Sequence, residues 1–309
     1  MQIGFVGLGR MGGNMVARIK RHSDHAVVAF DPDQKAREDA FDMGVRAVVS
    51  LEDLARALKP PRTIWLMVPA GVITQQAVDA LAGLLEGGDT VVDGGNSKWT
   101  EDQARGETLA AKGIHYVDVG VSGGVWGLRE GYCMMVGGPD EAVERLRPIL
   151  DVLAPPPMQE HGPGWGHMGP TGSGHYVKMV HNGIEYGLMQ AYAEGFDLFD
   201  KAPFELDNAQ IAHLWMQGSV VRSWLCGLAA GAFEQEGNDL AALSGHTSDS
   251  GEGRWTIEEA MNRDVPTPVI TAALYARFYS RGEGDFTHRL LAALRAQFGG
   301  HATKPAADG

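Results

Sequence analysis

Cysteine is scarce in this 309-residue chain, with only Cys133 and Cys226, and they stand far apart. Two such residues offer neither a metal-site spacing nor a redox Cys-x-x-Cys, and they exclude a disulfide-stapled scaffold. Both fit a reduced cytoplasm, packed as small hydrophobes. Long apolar runs are missing too: glycines and charges interrupt every stretch before it reaches membrane-spanning length. Basic residues are in deficit, 26 Lys and Arg against 39 Asp and Glu, for a net charge of −13. That balance argues against nucleic acid or a membrane surface as partner, but leaves room for a small anion wherever a few basic groups converge. The chain opens directly on strand-like Gln2-Ile-Gly-Phe-Val-Gly, with no signal-peptide pattern, so a cytoplasmic protein is expected. No ligand cluster calls for a metal.

Glycine is plentiful, at 42 residues, and the hydrophobic share of 44% is that of an ordinary globular protein. The length accommodates two domains with a sizeable core. Up to about residue 155, short β-rich runs (2–6, 26–31, 46–49, 63–68, 90–93, 115–119 and 132–136) alternate with helical periods (11–20, 33–41, 51–58, 73–85, 101–111 and 140–153). This alternation predicts a mostly parallel sheet with crossover helices. Pro155-Pro156-Pro157 and a glycine-rich run over 162–174 then form a break that should admit no long helix or strand. Beyond it strand patterns vanish, and helical periods cover 175–200, 207–233, 254–263, 267–280 and 285–297. The expected fold class is an α/β Rossmann-type dinucleotide-binding domain over residues 1–170. An all-α domain over 171–309 should follow, serving substrate binding and oligomerisation and ending in a small, polar tail.

Gly7-Leu8-Gly9-Arg10-Met11-Gly12 is G-x-G-x-x-G, placed between the first strand and the first helix. In that context the first glycine permits the tight turn, the second admits a pyrophosphate against the backbone, and the third lets helix and strand pack closely. Helix N–H groups would then face the phosphates. Asp31 ends the second strand, 22 residues after Gly9. An acid there accepts hydrogen bonds from ribose hydroxyls and repels a 2′-phosphate, which favours NAD over NADP. Lys35 or Arg37 nearby could still swing to a phosphate, and Asp31 could instead cap the following helix.

Lys178-Met-Val-His181-Asn182-Gly183-Ile-Glu185-Tyr186 is the other dense signal. On a helix, Lys178, His181, Asn182, Glu185 and Tyr186 share one face. One base, one acid, an imidazole, an amide and a phenol then all face one way. Gly183 and Gly187 lower helix propensity, which points to close packing against another backbone.

Four motifs resemble the decarboxylating 6-phosphogluconate dehydrogenases, within the wider β-hydroxyacid dehydrogenases: Asp93-Gly94-Gly95-Asn96-Ser97, Val121-Ser122-Gly123-Gly124-Val-Trp-Gly127, Gly174-His-Tyr-Val-Lys178 through Tyr186, and Gly253-Arg254-Trp255-Thr256. The chain looks like the short, often NAD-dependent bacterial type, with one helical unit where long forms carry a duplicated one. Arg254 stands where the long form usually has lysine, a change of donor geometry. The resemblance implies cofactor contacts at Gly7, Leu8, Gly9, Arg10, Met11, Gly12, Asp31, Val68, Pro69, Ala70 and Asn96. It implies sugar-acid contacts at Asn96, Ser122, Gly123, Gly124, Lys178, His181, Asn182, Glu185, Tyr186 and Arg254. Arg277 matches the family's helical phosphate-binding arginine. Arg295 and His301 match a C-terminal pair that reaches a neighbouring subunit's substrate, which implies a homo-oligomer with shared active sites.

The implied reaction oxidises the C3 hydroxyl of a six-carbon sugar-acid phosphate with NAD, releases carbon dioxide and leaves ribulose 5-phosphate. Lys178 is the expected base and then acid, and Glu185 the expected proton donor to carbon. Two alternatives stay open: an NAD-dependent dehydrogenase of another β-hydroxy acid, such as 3-hydroxyisobutyrate, and a catalytically silent NAD sensor. The cluster of Arg277, Arg295 and His301 favours a phosphorylated substrate.

Overall fold

A computed structural model of the chain describes residues 1–157, 162–282 and 286–287. It divides into two compact units, Met1–Met179 and Val180–Gly309. The first unit runs β1 (Gln2–Val6), α1 (Arg10–His22), β2 (Ala26–Phe30), α2 (Gln34–Asp42), β3 (Arg46–Val48), α3 (Leu51–Ala57), β4 (Thr63–Leu66), α4 (Val72–Ala82) and β5 (Thr90–Asp93). It continues with α5 (Trp99–Ala110), β6 (His115–Ser122), α6 (Gly127–Glu130), β7 (Cys133–Gly137), α7 (Asp140–Leu153) and β8 (Trp165–Gly169).

All eight strands form one sheet in the order β3-β2-β1-β4-β5-β6-β7-β8. Every neighbouring pair is parallel except β6 with β7. Parallel strands need crossover helices, which cover both faces and make the central strands apolar throughout. Thr63–Leu66 and Thr90–Asp93 are accordingly buried at every position. One face packs Ile3, Phe5 and Val117 against Met15, Ile19 and the α7 leucines, and the other packs Val6, Ile64 and Leu66 against Leu54, Val78 and Leu109. The order 3-2-1-4-5-6 reverses between β1 and β4, the place where such sheets take dinucleotides.

Three expectations change here. β8 falls inside the stretch read as a break. It forms because it adds to β7, and a side chain at Gly164 would lie 2.3 Å from Pro155 Cδ, so glycine lets it run close to the preceding chain. β6 extends three residues further than its apolar alternation suggested, bringing Ser122 into the sheet opposite Cys133. Cys133 is exposed rather than packed, because it opens a strand; Cys226 is buried.

In the second unit, α8 (Ser173–Asp200) continues from the first, followed by α9 (Asn208–Trp215), α10 (Trp224–Glu236), α11 (Glu252–Asn262) and α12 (Pro268–Ser280). The continuous helix expected over 207–233 is two. The chain takes a positive φ at Gly218, and Ser223 then caps α10 by accepting from the Cys226 N–H. Phe196, Ala212, Cys226 and Ala230 form a small core there. The helical period expected over 285–297 lies almost wholly outside the described residues. Among the described residues, no helix is long and apolar enough to cross a membrane.

Candidate active site

In the first unit, the three glycines of the turn after β1 do different jobs. A side chain on Gly7 would lie 2.3 Å from the Met67 carbonyl oxygen, and one on Gly12 would lie 2.0 Å from that of Gly7. These two are required by packing. A side chain on Gly9 would meet nothing within 4 Å, so its glycine keeps space open above the backbone. The first turn of α1 carries neither an acidic residue nor a side-chain cap. Its N–H groups, with Arg10 exposed and Met11 half-buried beside them, therefore remain able to meet an anion.

The Asp31 carboxylate accepts the Leu8 N–H at 2.6 Å and the Asp33 N–H at 2.8 Å. It fixes the turn from the neighbouring strand, while Asp33 is the residue that caps α2. Leu8 thus spends its N–H inside the protein. Lys35 pairs with Asp39, and Arg37 donates to the carbonyls of Asp31 and Pro32 at 2.7 and 2.9 Å. Val68, Pro69 and Ala70 follow β4, next to β1 in the sheet; the Pro69 carbonyl accepts from Thr74 Oγ1 at 2.9 Å, tying this loop to α4. Open space at Gly9, uncapped helix N–H groups and a carboxylate at the end of β2 fit an NAD molecule.

Asn96 rides on the loop after β5. The loop is drawn tight by Asp93, which accepts the Gly95 N–H at 2.9 Å and the Ser97 hydroxyl at 2.6 Å. A side chain on Gly94 would collide with the Trp65 indole at 2.2 Å. Below the loop, the Tyr116 hydroxyl lies 3.0 Å from Asp93 and 2.9 Å from Asp102. His175 places Nδ1 2.7 Å from Asp102 and Nε2 3.1 Å from the Gly95 carbonyl oxygen. Asp93, Asp102 and His175 bring ligand-type atoms within 4.8 Å of one another, but each of these atoms is already hydrogen-bonded inside the protein.

Asp118 roots α8. Its carboxylate accepts the N–H groups of Gly172 and His175 at 2.6 and 2.8 Å, a negative charge under a helix N-terminus. A side chain on Gly174 would lie 2.4 Å from the Met135 carbonyl oxygen, and one on Gly120 would lie 2.4 Å from Lys178 Cβ. Helix and strand therefore touch backbone to backbone, and Lys178 stands over β6 two residues before Ser122. Partial desolvation raises the Cys133 thiol above its ordinary value, with the Lys178 charge opposing the rise. Since Cys133 pairs with Ser122, Lys178 and Ser122 occupy the same end of the β6–β7 pair. Gly123 and Gly124 follow with φ of +121° and +52°, conformations that favour glycine.

In the second unit, the polar face of α8 separates into two. Asn182 and Tyr186 turn inward: Asn182 Nδ2 donates to Glu252 at 2.7 Å, and the Tyr186 ring lies between Gly253 and the Arg277 guanidinium, which is 3.5 Å from its centroid. His181 and Glu185 stay half-exposed with 4.0 Å between Nδ1 and Oε2, and His181 also contacts the Asn182 amide oxygen at 2.9 Å. Gly183 also faces α11 closely: a side chain there would lie 2.8 Å from Thr256. The buried Tyr186 hydroxyl and Glu252 Oε2 have no partner among the described residues. Arg254 grips Asp249 with both arms, at 2.9 and 3.0 Å, and Arg281 joins them at 3.3 Å. Arg254 and Arg281 hold the Asp249 carboxyl below the usual carboxylate range. Arg277 donates to the Ser248 carbonyl in the same loop at 2.9 Å. Arg295 and His301 lie outside the described residues.

Sequence reasoning gave no role to His175, Asp102, Tyr116 or Asp118. A signal was present: acids that end or interrupt otherwise apolar strands, as in Thr90-Val-Val-Asp93 and Tyr116-Val-Asp118-Val, must find partners once buried.

Residues 2–161 match the NAD binding domain of 6-phosphogluconate dehydrogenase, and residues 174–304 match the C-terminal domain of that enzyme. An NAD(+)-dependent, decarboxylating 6-phosphogluconate dehydrogenase of Haloferax volcanii is 45% identical over 301 residues, covering 97% of this chain and 98% of its own length. A putative 6-phosphogluconate dehydrogenase of Bacillus subtilis is 40% identical, covering 98% and 99%. The solved 6-phosphogluconate dehydrogenase of Plasmodium falciparum superposes with a TM-score of 0.82 at 28% identity, over 100% of this chain and 67% of that one. The chain belongs to the 6-phosphogluconate dehydrogenase family.

Proposed function

We propose that the protein oxidises and decarboxylates 6-phospho-D-gluconate to D-ribulose 5-phosphate and carbon dioxide in the cytoplasm, with NAD as the electron acceptor. The observation that carries this reading is Lys178, mounted on Gly120 of the dinucleotide-binding sheet at the end marked by Ser122, Gly123 and Gly124. NAD, held at the Gly7–Gly12 turn and by Asp31, would supply the acceptor for the hydride leaving C3 of the sugar acid. Neutral Lys178 takes the proton of the C3 hydroxyl, so the carbinol becomes a ketone. The resulting ammonium donates to the ketone oxygen while the C1–C2 bond breaks and its electron pair passes to C2, releasing carbon dioxide and leaving an enediol. Glu185 protonates the former C2, which becomes C1 of the product, while Lys178, neutral after its donation, takes back the hydroxyl proton so that the C2 ketone of ribulose 5-phosphate forms.

Ser122 and the Gly123 and Gly124 N–H groups hold the carboxylate, assisted by Asn96. His181 orients the hydroxyls, and Asn182 acts through it, holding the imidazole with its amide oxygen while Glu252 fixes its amide nitrogen. Tyr186, whose hydroxyl is unpaired among the described residues, and Arg277 take the phosphate. Arg254 acts through Asp249, steadying the loop that receives Arg277. A homo-oligomer completes the site, with Arg295 and His301 supplied by a second copy. Ile184 and Leu188, 53% and 47% exposed on α8, are apolar surface suited to that contact.

Initial rates of NAD reduction test the proposal. The kcat/KM for 6-phosphogluconate should exceed that for gluconate by at least about a hundredfold, reflecting loss of a charge-assisted phosphate contact. Lys178→Met should lower kcat by about a thousandfold while retaining sugar-phosphate binding. Equal use of gluconate, or near-normal turnover by the variant, would overturn the reading.

A further inference from the structure

Beneath the Asn96 loop lies a buried polar cluster, all of it in the first unit, that the chemistry above does not use. His175, Asp102, Asp93 and Asp118 are buried, and Arg105 is 2% exposed. We propose that His175 is a positioning residue: clamped between Asp102 and the Gly95 carbonyl, it locks the loop that carries Asn96 to the first turn of the helix that carries Lys178.

His175 is the third residue of α8 and Lys178 the sixth. One turn of helix therefore transmits any movement of the imidazole to the base. On the other side, Gly95 is the residue before Asn96, and its carbonyl oxygen receives Nε2 at 3.1 Å. The same loop is held from β5 by Asp93, and α8 is held from β6 by Asp118. His175 is the cross-piece between these two anchorages, and Asp102 on α5 fixes its ring plane. A bond to each side needs a hydrogen on Nε2, because a carbonyl only accepts.

The contacts on both ring nitrogens favour the cationic ring, and although burial pushes the Asp102 carboxyl up, His175 opposes that rise. Arg105 Nη1 stands 3.6 Å from Asp93 and 3.7 Å from Asp102. Asp93 and Asp102 thus face Arg105 and His175, two negative groups against two positive ones, while Asp118 is satisfied by backbone N–H groups and Glu101 pairs with the outer arm of Arg105 at 2.7 Å. Burial alone would disfavour the imidazolium, but the carboxylates of Asp102, Asp93 and Asp118 outweigh it and raise His175 to about 10. Tyr116 is pushed well above its ordinary value by burial and by the flanking Asp93 and Asp102, and stays neutral, with one hydrogen to give to one or other of these carboxylates. The clamp is consequently indifferent to pH across the range in which an ordinary histidine switches.

The inference concerns the proposed reaction, but two of its three tests do not depend on that reaction. In the full-length protein with 15N-labelled histidine, one buried imidazole should keep protons on both ring nitrogens at pH 8.5, and His175→Gln should remove that signal. A singly protonated, neutral ring at that pH overturns the clamp's charge state. The sign for stability follows: folded His175 titrates above its unfolded value of about 6.5, so its contribution is complete below that pH and declines as pH rises towards about 10. Wild-type stability to urea should fall over that window with a slope of one proton, and His175→Gln should flatten it.

The third test is kinetic. With 6-phosphogluconate and NAD, His175→Gln and Asp102→Asn should each lower kcat at least about tenfold, while NAD affinity, set at the glycine turn, changes less than about threefold. Wild-type kcat in a folded His175→Gln overturns the positioning role. If neither variant folds, the wild-type histidine spectrum and its pH–stability slope decide. A wild-type protein inert towards 6-phosphogluconate would remove the proposed reaction and leave the clamp standing on the spectroscopic and stability results.

Discussion

Lys178 and Glu185 are seven residues apart on α8, a rise of about 10.5 Å and a rotation about 20° short of two full turns. In the proposed reaction the two side chains start from different turns of the helix and converge on neighbouring positions of the sugar acid, Lys178 on the C3 oxygen and Glu185 on C2. Their effects are also separated in time. In that reaction Lys178 acts during hydride transfer, whereas Glu185 is needed only once the enediol has formed. Glu185→Gln should therefore form reduced NAD in the first turnover at a near-normal rate, in an amount close to one per site, and then slow by about a hundredfold or more. Rapid-mixing absorbance at the reduced-nicotinamide band checks this. A uniformly slow first turnover would place Glu185 in the oxidation step instead. At this scale the sequence announced the groups but not their surroundings: the spacing of Lys178, His181, Asn182, Glu185 and Tyr186 is legible in one line. That Asn182 and Tyr186 turn inward is not, because it depends on Glu252 and Gly253, about seventy residues away.

Among elements, the crossover pattern was readable because parallel strands and amphipathic helices each leave a period in the sequence. What escaped were the features decided by a neighbour. β8 exists because β7 offers it an edge, and α9 and α10 part where Gly218 takes a conformation the helical period does not record. Arg18 is a third case. An arginine on the buried face of α1 breaks the apolar pattern, yet it is 5% exposed. Its guanidinium donates to the carbonyls of Val152, Leu153 and Ala154 at 3.0, 3.1 and 2.9 Å, closing the C-terminus of α7 where helix carbonyls lack partners. A cation there also meets the negative end of the helix dipole. Arg18→Met keeps the apolar stem but takes the donor from the Val152 and Ala154 carbonyls, while Leu153 keeps the Tyr132 N–H, and should destabilise the first unit by about 2–4 kcal/mol. Urea titration should show the loss, with NAD affinity unchanged within about twofold in the folded protein. A cost below about 0.5 kcal/mol would mean that water closes the helix equally well.

At the scale of the whole molecule, the length itself is informative. The chain aligns end to end with relatives of its own size but spans 67% of the Plasmodium falciparum enzyme. Ile184 and Leu188 on α8, and Val269 and Tyr275 on α12, are exposed apolar residues. In the proposed oligomer a second copy covers these residues, and the consequence is countable. Suppose that Arg295 and His301 of one chain complete the site containing Lys178 of another. Lys178→Met and His301→Ala proteins are then each nearly inactive, since each lacks one component of every site. Unfolded together and refolded at equal concentration, they form mixed dimers in which one of the two sites joins an intact Lys178 to an intact His301. With half of the dimers mixed, recovered activity should reach about a quarter of wild type. Independent sites, each built from a single chain, would recover nothing, because every site in the mixture would still carry one lesion. The experiment thus separates an intertwined oligomer from one held together merely by apolar surface, and native mass spectrometry of the same samples, which resolves the mass difference between the two variants, establishes that the mixed species formed.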